Sequence, residues 1–100
     1  MPHITPGGTN IFLDLGFEPE EAANLKIRSD LMREIDTFIR SEGLTQAKAA
    51  KLFGVTQPRI SNLLKGKIEL FSIDSLVKML AAVGRRVEVE VLTDSHSSEA

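Results

Sequence analysis

One hundred residues, 42% hydrophobic and 26% charged, supply one modest core and no second, so the chain reads as a single small globular domain. Cysteine is absent, which excludes a disulfide framework and a thiolate metal site and fits a reducing cytoplasm. A net charge of −2 argues against a nucleic-acid partner, yet residues 44–67 hold Lys48, Lys51, Arg59, Lys65 and Lys67 and no acid, leaving seven bases and fourteen acids for the rest. The field of that basic window, rather than the sum, decides what it attracts.

The first ten residues, "MPHITPGGTN", lack the basic start and apolar stretch of a signal peptide, and no apolar run approaches the ~20 residues that cross a bilayer. A soluble cytoplasmic protein is expected. Residues 1–17 are expected to form a flexible arm, whose "NIFLDLGF" fits either a short strand or an apolar segment packed on the body.

From residue 18 to 41 the pattern turns helical. Pro19 suits a first turn, Glu18, Glu20 and Glu21 complement the positive helix end, and Ile27, Leu31, Ile35, Phe38 and Ile39 recur at spacings of three and four. A break near Asn24 is possible within it, and Glu42-Gly43 ends it. Thr45 is placed to cap a short helix over 46–53 that Gly54 stops, and Thr56 to cap a second, with Pro58 tolerated in its first turn and Gly66 closing it. A further amphipathic helix is predicted over 72–83, with Ile73, Leu76, Val77, Leu80 and Val83 on its stripe and Gly84 after it. Then the period changes to two: Val87, Val89 and Val91 alternate with Glu88 and Glu90, the pattern of a strand over 85–92 with one face buried. Residues 93–100 read as a disordered tail.

Two short helices joined by a glycine-containing turn of three residues are the helix-turn-helix unit, whose second helix enters a DNA groove. Ala50 is small where the second helix must come close, Gly54 permits a positive backbone angle in the turn, and Ile60 and Leu63 hold the second helix to the body. On these residues "GLTQAKAAKLFGVTQPRISNLLKGK" closely resembles the Cro/C1-type helix-turn-helix of phage repressors and the XRE family, matching G-L-T-Q-x-x-x-A-x-x-x-G-V-x-Q-x-x-I-S-x-L-x-x-G. The resemblance implies a mainly α, lambda-repressor-like helical bundle over residues 18–84 with a C-terminal β-strand, and a sequence-specific binder of double-stranded DNA.

Roles follow from it position by position. Gln46 resembles the family's phosphate-clamping glutamine, and Thr56 and Gln57 match the start of the recognition helix. Gln57 is placed to read adenine through its amide and Arg59 to read guanine through its planar fork. Asn62, one turn on, reaches a base or a phosphate. Pro58 departs from the phage repressors, replacing a polar side chain that some of them use; it can touch a thymine methyl but donates no hydrogen bond. Ser61, Lys65 and Lys67 fall to the phosphates.

A lone strand leaves an edge to be paired. Self-pairing of "RRVEVEVL" through Val87, Val89 and Val91 would make a two-fold dimer on a palindromic operator; the competing arrangement pairs the strand with "NIFLDL" inside one chain. The whole chain also looks like the compact XRE-family antitoxins of the HigA kind, which implies a RelE-like or HigB-like ribonuclease toxin as partner, repression of its own operon, and toxin contact outside the motif, in the acidic first helix or the apolar arm. The alternatives are a stand-alone phage-type repressor and a protein-interaction module that does not read DNA. No enzyme is expected: His3 and His96 lie in the tails, no metal or phosphate-loop motif occurs, and no cofactor is implied.

Overall fold

In the computed structural model, which describes residues 3–4 and 10–93, the elements run β1 (His3–Ile4), α1 (Ile11–Asp14), α2 (Pro19–Ser41), α3 (Gln46–Phe53), α4 (Gln57–Leu64), a single 3₁₀ turn (Ile68–Leu70), α5 (Ile73–Ala82) and β2 (Glu88–Val89). The mainly helical bundle carrying a helix-turn-helix is therefore the fold that forms. Its spine is α2, the single helix expected there, which runs unbroken past Asn24. Pro19 stands in its first turn with Glu20 and Glu21, where proline loses no hydrogen bond and acids meet the positive helix end.

The core sits on the C-terminal two-thirds of α2. Leu31, Met32, Ile35 and Ile39 pack against Ala49, Ala50 and Phe53 of α3, Ile60 and Leu63 of α4, and Leu76, Met79 and Leu80 of α5, with Phe71 between. Ile27 and Phe38 of the predicted stripe lie half-buried at its margin, Phe38 meeting Phe53 edge to face at 5.7 Å. On α5 the stripe is centred on Leu76, Met79 and Leu80, and Val77 falls on its exposed edge. At 100° per residue, 76, 79, 80 and 83 cluster on one side, and 77 is turned away from 79 and 83.

Asp30 is buried, 7% exposed, yet fully answered on its own helix: Lys26 bonds one carboxylate oxygen at 2.6 Å and Arg33 approaches the other at 3.4 Å. Among the described residues no buried side-chain nitrogen or oxygen lacks a hydrogen-bond partner.

Of the two arrangements expected for "NIFLDLGF" the strand does not form; the segment packs on the body, as a one-turn helix, α1, in which Asn10 accepts from the Phe12 amide. The Asn10 side-chain amide also donates to the Ala22 carbonyl at 3.0 Å, pinning α1 to the start of α2. The strand is shorter than the predicted 85–92 span, and within the chain it does not pair with "NIFLDL". Instead β2 pairs in parallel with β1, His3 opposite Glu88 and Ile4 opposite Val89. Parallel pairing requires a long crossover, and here the entire helical body is that connection. Residues 94–100, where the tail and His96 fall, lie outside the described residues, as do 1–2 and 5–9 of the arm.

Candidate nucleic-acid interface

The α3–turn–α4 unit is built by local chemistry. Thr45 accepts from the Lys48 amide at 3.2 Å and Thr56 from the Arg59 amide at 3.3 Å, so each helix begins on a threonine hydroxyl that answers a donor with no partner inside the helix. Gly54 ends α3 in the left-handed conformation at φ 70°, and the Val55 amide bonds back to the Ala50 carbonyl at 3.0 Å. A Cβ at Gly54 would meet nothing within 4 Å, so a substitution there strains the backbone without a clash. Gly54→Ala is therefore expected to lower stability by about 1–2 kcal/mol, read as a shift in the urea midpoint without a change of slope.

Ala49 and Ala50 are both buried where α3 meets the neighbouring helices. The sequence reading singled out Ala50 alone; Ala49 could have been found by stepping four residues back from the core residue Phe53. Ile60 and Leu63 are buried as the motif requires, and Leu64 packs half-buried beside them.

Outside this locking stripe, Gln46, Thr56, Gln57, Pro58, Lys65 and Lys67 are exposed, and Ser61 and Asn62 are half-buried. The Gln57 and Asn62 side chains make no hydrogen bond among the described residues. Arg59 behaves differently from its neighbours. Rather than projecting outward, its guanidinium donates to the Leu70 carbonyl at 3.0 Å and lies 4.3 Å above the Phe71 ring.

Charge is distributed by use. Lys26, Arg33, Arg40 and Arg86 pair with acids, Arg28 and Arg59 hold backbone carbonyls, and Arg85 covers Phe38. Among the described residues, the bases left without such a partner are Lys48, Lys51, Lys65 and Lys67, together with Lys78 on α5. Four of these five belong to the helix-turn-helix segment, which contains no acid to neutralise them. Such a surface attracts polyanions and holds them through phosphates.

Of the residues expected at a dimer interface, Val87 is half-buried against the chain's own core, whereas Val89 and Val91 are 80% and 91% exposed. Among the described residues no group of His, Asp and Glu could hold a metal ion, and no helix is long and apolar enough to cross a membrane.

Comparison with known proteins agrees with this geometry. Residues 11–92 match the family model described as a helix-turn-helix domain. An uncharacterized HTH-type transcriptional regulator of Haemophilus influenzae is 31% identical over 91 residues, spanning 89% of this chain and 92% of its own length. A solved structure named as an XRE-family transcriptional regulator superposes with a TM-score of 0.69 at 30% identity, covering 77% of this chain and 86% of its own. The chain belongs to the helix-turn-helix domain family, as a transcriptional regulator of the XRE type and hence of a DNA-binding, non-enzymatic class.

Proposed function

We propose that the protein is a dimeric repressor of the Cro/C1 type that binds a palindromic operator, with α4 in the major groove. The observation that carries this reading is the set of unpaired lysines, Lys48, Lys51, Lys65 and Lys67, flanking an exposed Gln57 at the start of α4. In this reading Gln57, Pro58 and Asn62 face base edges, and Gln46, Thr56 and Ser61 join the lysines on phosphates. The exposed Val89 and Val91 supply apolar contact to a second copy, which would set two recognition helices ~34 Å apart on successive major grooves.

The proposed setting is a toxin–antitoxin operon that the protein represses. Support comes from the opposite pole of the charge distribution: residues 1–25 contain Asp14, Glu18, Glu20 and Glu21 and no Lys or Arg. These acids, which no described base pairs, share that segment with the exposed Ile11, Leu13, Leu15 and Phe17. A segment that combines exposed acids with exposed apolar side chains suits a basic ribonuclease partner of the RelE-like or HigB-like kind.

The test is binding to the DNA upstream of the protein's own gene, against scrambled DNA of equal length, across a salt series. Four lysines per protomer, eight per dimer, predict a slope of log affinity against log salt of about −7 and a clear preference for the upstream DNA. Equal binding to both DNAs would sink the operator reading. For the setting, the product of the adjacent gene should co-purify with the protein, and failure to do so would leave a stand-alone repressor.

A further inference from the structure

The segment joining α4 to α5 is held by two arginines. Arg28, from α2, donates to the Ile68 carbonyl at 3.1 Å and the Phe71 carbonyl at 3.3 Å, while its Nε is fixed by the Asn24 side-chain oxygen at 2.7 Å. Arg59, from the first turn of α4, takes the Leu70 carbonyl between them and stacks on the Phe71 ring, which is 2% exposed. Three of the four carbonyls from 68 to 71 are thus bound by guanidinium groups. The grip reaches across 11 residues on one side and across 40 and 43 on the other.

Where the grip acts matters. At its C-terminal end α4 is closed by its own backbone, the Lys67 amide bonding the Asn62 carbonyl at 3.1 Å and the Gly66 amide the Leu63 carbonyl at 2.9 Å. Its N-terminal end has the Thr56 cap, the buried Ile60 and the Arg59 contact. That is the end that meets base edges in a helix-turn-helix complex. A planar guanidinium seated on a buried ring is well suited to fix it, since stacking and hydrogen bonding act on one rigid group.

We infer that Arg59 and Arg28 form a clamp on residues 68–71 that sets the pose of the recognition helix, so that Arg59 serves DNA binding as a positioning residue and not as a reader of guanine. This rests on the reading of α4 as the DNA-contacting helix. Its two halves are separable by experiment: the clamp can be tested without DNA, and its role with it.

Without DNA, Arg28→Gln, Arg59→Ala and the double variant are compared by urea unfolding, and amide exchange is followed at Leu70 and Phe71. Both single variants should speed exchange at these two amides, and the double variant should lose less than the two single losses together. Strict additivity with unchanged exchange would overturn the clamp, whatever the DNA result. With DNA, each variant is titrated against the upstream operator and a panel of its single base-pair substitutions. Arg59→Ala should weaken binding about tenfold on every member of the panel, and Arg28→Gln, on a different helix, should weaken it alike. Arg59→Lys, which keeps the charge and loses the planar fork, should recover only part of the loss. Collapse of discrimination at one base pair in Arg59→Ala, with Arg28→Gln binding as the parent does, would make Arg59 a base reader and overturn the inference. If Arg59→Ala does not fold, Arg59→Lys and Arg28→Gln decide by the same panel.

Discussion

Phe71→Ala is expected to lower the unfolding free energy by about 3–5 kcal/mol, the range for removing a fully buried phenylalanine from a packed core. Phe71 is among the most deeply buried large side chains, set between the 3₁₀ turn and the cap of α5, where it joins α2, α4 and α5 in one cluster. Alanine would leave a cavity in that cluster and withdraw the ring on which Arg59 rests. A domain of this size holds roughly 5–15 kcal/mol in all, so the change removes a large share of it. Urea unfolding followed by circular dichroism gives the value; a loss below about 1 kcal/mol would mean that neighbouring side chains close the space and that the ring is dispensable.

Gln57→Ala should have the opposite signature. Gln57 is exposed at the first position of α4 and bonds to nothing among the described residues, so stability should stay within about 0.5 kcal/mol of the parent. Operator affinity should fall by about 5- to 150-fold, the worth of one bidentate amide–adenine pair. The loss should be confined to one base pair per half-site, with affinity for scrambled DNA unchanged. An equal loss on operator and scrambled DNA would instead place the amide on a phosphate.

The helix-turn-helix was legible in the sequence because every one of its constraints is local. Thr45, Gly54 and Thr56 act on amides or dihedrals within three residues of themselves, and Ile60 and Leu63 declare the buried face by spacing alone. The chain's ends were less legible for the converse reason. A four-residue apolar segment such as Ile11–Asp14 is too short to show a period, and what makes it a helix is the side chain of Asn10, which also reaches Ala22. The partner of Glu88–Val89 is 85 residues away and only two residues long, so no pattern announces it. Arg59 shows a third limit. Helical position gives the direction in which a side chain leaves the backbone, but a long arginine ends where it finds a carbonyl and a ring, here on a turn that follows it by 11 residues.

The parallel pair also has a consequence for how the protein is made. Because residues 3–4 wait for residues 88–89, the sheet is the one element that cannot close until nearly all of these residues have left the ribosome. At about 5–20 residues per second, several seconds of synthesis separate its two halves. During that interval β1 has no partner strand within the chain, so the parallel pair forms only after the helices between its two strands have been made.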